Sequence, residues 1–169
     1  MLGSIISMNK FLIFFCFLIS SQVFGKTYDI TFPSDWSVKE KSFGADYFAY
    51  TPITINKDSA SVFIKEYNKK IKDPLAFIKN DIEKNISKNS KKYKNLNIYK
   101  SSSKKLGEEL FHIVDYYYFD NTKNKIIFSQ ISILNLPSSY LYINYAGDEA
   151  TYNDYKDSVL SIMKSIRRK

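Results

Sequence analysis

The chain has 169 residues, with 25 Lys or Arg against 17 Asp or Glu, a formal net charge of +8, one histidine, one cysteine and one tryptophan. A lone cysteine excludes an intramolecular disulfide and a multi-thiolate metal site, and a lone histidine excludes a histidine cluster. The 14 tyrosines and 13 phenylalanines exceed what a small core needs, so some of them are expected to line a pocket.

Lys10, the apolar run Phe11 to Ile19, polar Ser20 to Gln22, and Val23 and Gly25 around Phe24 follow the order of a secretory signal. They predict a signal peptide over 1–25, cleavage near Gly25, and a single domain over 26–169 in the periplasm or outside the cell. Met8 opens that signal naturally as MNK. Polar residues cut the apolar run short of the roughly 20 residues that span a membrane. Cys16 follows bulky phenylalanines where a lipoprotein signal has small residues, so neither kind of anchor is expected. The remaining domain would hold no thiol and must be stabilised by packing alone.

Tyr28, Ile30 and Phe32 alternate with Asp29 and Thr31, which predicts a strand that ends at Pro33, where the ladder loses its N–H. Ser34 and Asp35 favour a turn, after which Trp36 re-enters as a core anchor. Val38 continues a strand, Gly44 turns it, and Asp46 to Thr51 resumes one. A loop through Pro52 and Asp58 leads to a strand over Ala60 to Tyr67, with Val62 and Ile64 on one face.

The period then changes. Asp73-Pro74 is a helix start, and Leu75, Ile78, Ile82 and Ile86 form one apolar stripe on a helix over 74–90. Leu96 to Ser102 reads as a polar strand near a sheet edge, where Lys100 discourages further pairing. Gly107 turns the chain into three strands, Leu110 to Phe119, Ile126 to Leu134 and Tyr140 to Tyr145, joined by turn formers as an antiparallel meander. Apolar groups on both faces of Phe111 to Phe119 predict a strand covered from both sides. A C-terminal helix from about Glu149 or Thr151 carries the stripe Tyr152, Tyr155, Val159, Ile162 and Ile166. Arg167, Arg168 and Lys169 stand at its end, where they suit the helix dipole.

This order of elements, with Phe32, Pro33 and Trp36, then Gly107, Tyr140, Tyr142, Tyr152 and Tyr155, resembles the PsbP-like family, which includes bacterial DcrB-like envelope proteins and shares its fold with a Ran-binding nuclear-import factor. The resemblance spans Thr27 to Ile166. It implies an α+β fold, an α/β/α sandwich in which an antiparallel sheet is covered by a central helix and a C-terminal helix. It also implies a binding or assembly factor without a shared active site; nothing in the chain calls for the photosynthetic role of the plant members.

The residues themselves offer little catalysis. His112 sits on an alternating strand, where a packed or edge position is the simpler reading than a general base. Gly44, Gly107 and Gly147 are too scattered for a phosphate loop, so no nucleotide cofactor is expected, and no other cofactor or metal. Glu108-Glu109 and Asp148-Glu149 fall at element ends, where capping explains them better than a glycosidase dyad. Between Lys69 and Lys105, 12 lysines stand against Asp73, Asp81 and Glu83. Lys69, Lys70, Lys72, Lys91, Lys92 and Lys94 are therefore a candidate interaction surface for an acidic envelope protein or, weakly, an anionic membrane. An ordinary solvated face competes with that reading. The scarcity of arginine argues against nucleic acid. The leading expectation is an exported, non-catalytic accessory or assembly protein that acts by protein binding. The alternatives are a carrier of a small or apolar ligand and a carboxylate-based hydrolase.

Overall fold

A computed structural model describes residues 27–53 and 58–169, so the expected signal peptide and its cleavage site lie outside the described residues. The elements run β1 (Tyr28–Asp29), β2 (Ser37–Glu40), β3 (Tyr47–Tyr50), β4 (Ser61–Tyr67), α1 (Pro74–Lys88), β5 (Tyr93–Leu106), β6 (Glu109–Asp120), β7 (Lys125–Asn135), β8 (Tyr140–Gly147), α2 (Glu149–Ser165) and β9 (Arg167–Arg168). Strands β2 to β8 form one antiparallel sheet in the order β2-β3-β4-β8-β7-β6-β5. The meander β5 to β8 is local. The join of β8 to β4, with Val62 opposite Tyr145 and Ile64 opposite Ile143, sets β2, β3 and β4 beside the meander and leaves β2 and β5 as the two edges.

Each helix covers one face, as an α/β/α sandwich requires. Helix α1 starts where Asp73 Oδ1 accepts from the Ala76 amide at 3.0 Å, satisfying one of the orphan donors of the first turn, and Pro74 needs no such bond. Its Ile78 and Ile82 are buried against Val114, Tyr116, Ile131 and Ile133, each contributing about 1.5–3 kcal/mol by burial. Helix α2 is capped by Asp148, whose Oδ1 accepts from the Thr151 amide at 2.9 Å. It buries Tyr152, Val159, Ile162 and Met163 on the other face with Trp36, Ile64, Phe111 and Ile143. Trp36 is 6% exposed and meets Tyr155 edge to face at 5.9 Å, so it is the core anchor expected of it.

Three details depart from the sequence reading. The strand expected over 28–32 is only the two-residue β1, and it pairs with β9 rather than with the main sheet. Ile30 and Phe32 still pack on the core; their alternation reports burial of one side of an extended segment, which needs no ladder. Arg167 and Arg168 do not simply trail the helix but form β9. There Arg168 pairs with Glu109, and Arg167 Nη1 caps the α2 end by donating to the Lys164 carbonyl at 2.6 Å. Strand β5 is 14 residues long, longer than expected, and is the sheet edge that its lysines suggested. Two register breaks, between Lys94 and Asn97 and between Ile98 and Lys100, further protect that edge.

Beneath α2 lies a buried carboxylate that the pattern of β6 did not mark as special. Asp115, 2% exposed, accepts at Oδ1 from Gln130 Nε2 at 2.7 Å and from the Tyr152 hydroxyl at 2.9 Å, with Lys156 Nζ at 3.8 Å. It ties the first turn of α2 to the middle of the sheet.

Candidate functional site

Helix α1 packs on β5, β6 and β7 and so covers only part of its face of the sheet. On the remainder, the register sets Phe48 of β3 opposite Phe63 of β4, and Phe63, Lys65 and Tyr67 opposite Asn144, Tyr142 and Tyr140 of β8. The rings form a continuous series. Centroid separations are 5.3 Å for Phe43 to Phe48, 6.5 Å for Phe48 to Phe63, 6.3 Å for Phe63 to Tyr142 and for Tyr142 to Tyr67, 5.1 Å for the stacked pair Tyr67 and Tyr140, and 5.8 Å for Tyr140 to Phe77 of α1.

The inner end of the series borders an open groove of about 410 Å³ between α1 and strands β4 and β8. Phe63, Tyr67, Tyr140 and Tyr142 line its sheet side with Asn144, and Phe77, Asp81 and Asn85 line its helix side. The helix residues stand four apart and therefore share one flank. The Tyr142 hydroxyl donates to Asp81 Oδ2 at 3.3 Å, and Ser129 Oγ donates to Asn144 Oδ1 at 2.9 Å. Burial first, then the Asp81 charge, pushes the Tyr67 and Tyr142 phenols above their ordinary range; burial, Tyr67 and Asp81 do the same to Tyr140. All three stay neutral donors near pH 7. The groove continues past Asn85, Tyr142 and Asn144 into a second hollow of about 260 Å³, reaching Asn89, Tyr116 and Tyr118.

The outer end is more exposed. Phe43 at the β2–β3 turn is 73% exposed; Val38, 38% exposed, pairs with Ala49 and so lies on the opposite face, and Ile53, 85% exposed, follows β3 at the end away from that turn. Lys39 sits on the ring face opposite Phe48, and Lys65 Nζ lies 5.2 Å from the Tyr67 centroid. Lys69 Nζ lies 5.3 Å from the Phe77 centroid.

The six lysines singled out from the sequence are exposed and fall in two groups at opposite ends of α1, about 22 Å apart at 1.5 Å per residue. Lys69, Lys70 and Lys72 lead into the groove end, whereas Lys91, Lys92 and Lys94 follow the far end. Lys92 lies beside Tyr93, its Nζ 5.0 Å from the ring. There a third hollow is lined by Lys123, Lys125, Asp58, Asp120 and Asp148, in which Lys125 already pairs with Asp58 and Asp148.

His112 occupies a cross-strand position opposite Ser103 of edge strand β5, with Ser103 Oγ 2.8 Å from Nδ1. Burial lowers its pKa against a smaller opposing effect of Asp73. Of the adjacent acid pairs, Asp148 is a helix cap and Glu109 an ion-pair partner of Arg168. Among the described residues no group of three His, Cys, Asp or Glu side chains could hold a metal ion.

Sequence reasoning missed the ring series. One signal was present: Phe63 and Lys65 alternate with buried Val62 and Ile64, so β4 carries an aromatic on the face opposite its core side.

No family model and no curated protein matches the chain. Solved structures do. The cyanobacterial PsbP, CyanoP, of Synechocystis sp. PCC 6803 superposes with a TM-score of 0.61 at 12% identity over 85% of this chain and 87% of that one. The fold is PsbP-like. LpqN of Mycobacterium tuberculosis, described as involved in cell envelope biogenesis, gives a TM-score of 0.62 at 18% identity over 82% and 81% of the two chains. PA94 of Pseudomonas aeruginosa, described as a putative regulator of unknown function, gives 0.56 at 10% identity over 85% and 99%. Identities this low establish the PsbP-like architecture alone, and the function has to be argued from the surface of this domain.

Proposed function

We propose that this PsbP-like domain is an exported, non-catalytic accessory protein of the cell envelope that docks a partner protein on the aromatic face left bare by α1. The observation that carries the reading is the outer end of the ring series, where Phe43, 73% exposed, meets half-buried Phe48, which in turn meets Phe63, on the sheet face that α1 does not cover. A contiguous aromatic patch of this kind marks interaction sites on exported domains as on others. Lys39 and Lys65 stand on the same face and Lys41 at its turn, so the partner that fits is acidic where it meets β2 and β4. The lysines at the two ends of α1 extend that positive rim and could add weak contact with an anionic membrane. The likeness to LpqN, with its described part in envelope biogenesis, supports the setting.

The test is a photo-crosslinking residue placed at position 43, with one at Leu110, exposed on another strand, as control. In intact cells a discrete adduct is expected from position 43 only, and it should vanish when Lys39 and Lys65 are both changed to Glu. Equal adducts from both positions, or indifference to the charge reversal, would overturn the reading.

A second reading is favoured by the groove beside α1: its volume lies in the ordinary range of small-molecule sites, about 300–1,000 Å³. A carrier role for a small ligand is therefore proposed alongside docking. The hydrolase alternative finds one carboxylate, Asp81, among the groove-lining residues, where a glycosidase would need a facing pair.

A further inference from the structure

Resting on the small-ligand reading of the groove, we infer that the groove between α1 and strands β4 and β8 binds a neutral saccharide, stacked on the half-buried Tyr67 and Tyr142 rings and held at its hydroxyls by Asp81, Asn85 and Asn144.

Each other ligand class meets an obstacle in the groove. An anion would face the Asp81 carboxylate, the one charged side chain among the lining residues, while the Lys65 and Lys69 ammonium groups stand at the rim outside that lining. A cation would be drawn to the rings, but Lys65 and Lys69 already place ammonium groups 5.2 and 5.3 Å from the Tyr67 and Phe77 centroids and repel a further positive charge. A wholly apolar ligand would strip water from Asp81, Asn85 and Asn144 without replacing its hydrogen bonds, which is costly. A sugar ring satisfies all three constraints. Its C–H face is apolar and flat enough for aromatic stacking, and its hydroxyls both donate and accept. Those hydroxyls match a carboxylate that accepts, amides that do both, and phenols held neutral as donors.

The long dimension points to more than one sugar unit. Asp81, Asn85 and Asn89 place a polar side chain on each successive turn of the same flank, about 6 Å apart, and the two hollows share Asn85, Tyr142 and Asn144. A linear oligosaccharide lying parallel to α1 would meet the same arrangement, a ring below and a polar group beside it, at each step.

The experiment is calorimetric titration of the purified protein with maltohexaose, cellohexaose and chitohexaose, with choline, polygalacturonate and a fatty acid as cationic, anionic and apolar probes. At least one neutral oligosaccharide should bind with a Kd under about 1 mM. Asn85→Ala, on an exposed position of α1, and Asp81→Asn should each weaken it about tenfold with Tm unchanged, and Tyr142→Phe should weaken it less. Silence from all three oligosaccharides overturns the inference, as does tighter binding of choline, the polyanion or the fatty acid. Saccharide binding that ignores both Asp81→Asn and Asn85→Ala overturns it too, because the sugar then sits elsewhere. The crosslink from position 43 does not depend on these side chains, so loss of the saccharide reading leaves the docking reading standing, and the reverse.

Discussion

Replacing Asp115 by alanine tests how α2 is held on the sheet. In the native protein one buried carboxylate oxygen receives the Gln130 amide at 2.7 Å and the Tyr152 hydroxyl at 2.9 Å. Asp115→Ala removes the acceptor and leaves the buried Gln130 amide without a partner and the Tyr152 hydroxyl with only Tyr99 beside it, at about 1–3 kcal/mol for each donor. Lys156 is about one-third exposed and 3.8 Å away, so water screens its share, and it changes the total little. The expected loss is about 3–5 kcal/mol, the scale seen when one member of a buried charged network is removed. Tyr152→Phe removes one donor but leaves the carboxylate with Gln130, and should cost about 1.5–3 kcal/mol, as for a hydrogen bond to a charged group. The double variant has no orphaned phenol, so its loss should fall short of the sum by about 1 kcal/mol or more. Urea melts of the four proteins, analysed with a common slope, measure all three values. A loss below about 1 kcal/mol for Asp115→Ala, with additive behaviour in the double variant, would mean that water reaches the carboxylate from the Lys156 side and that α2 is held by its apolar stripe alone.

Trp36→Ala should cost about 3–5 kcal/mol in the same melts, whereas Val38→Ala, two residues on and 38% exposed, should stay within about 0.5 kcal/mol. Stability should fall with acid in two stages. His112 has its pKa lowered from 6.5 by burial, so its contribution is full above pH 6.5 and declines as pH falls from there towards the lower folded value, a component that His112→Asn abolishes. Asp148 is held below 3.8: burial alone would raise it, but the Thr151 amide and hydroxyl and Lys125 outweigh that. Its contribution is present above pH 3.8 and lost as pH falls through the folded value, and Asp148→Ala should shrink that second stage in pH-dependent melts but not remove it, because Asp120, where burial is likewise outweighed by the Thr122 hydroxyl and the Thr122 and Lys123 amides, is also held below 3.8. Changing Lys91, Lys92 and Lys94 to Gln should leave Tm unchanged and reduce retention on anionic vesicles mainly at low salt, where the Debye length is about 10 Å or more; wild-type protein that shows no salt-sensitive retention would reduce these lysines to a solvated rim.

Much of this protein was determined locally and could be read along the chain. The cap at Asp73-Pro74 and the stripe Ile78, Ile82 make α1, because N-capping and apolar periodicity act within a turn or two of sequence. The turns at Gly44 and Gly107, with φ of 75° and 64°, and the meander β5 to β8 follow from the same short-range chemistry. Trp36 is buried because a large apolar ring after a turn has little alternative. What the chain could not show was which strand closes on which. That β4 pairs with β8, and that β1 leaves the sheet to pair with β9, are long-range choices set by how the two helices share the faces. The candidate site depends on those choices. Phe63, Tyr67, Tyr140 and Tyr142 become one floor only through the β4–β8 register; with α1 settled over β5 to β7, Phe63, Tyr67 and Tyr142 stay half-buried beside it while Tyr140 is buried against its Ile78 and Ile82. Asp115 looks like any charged residue in a strand until Gln130 and Tyr152, 15 and 37 residues away, converge on it. Local periodicity reports whether a side chain is buried; its partner is decided by tertiary packing, and the candidate site here is made of such partnerships.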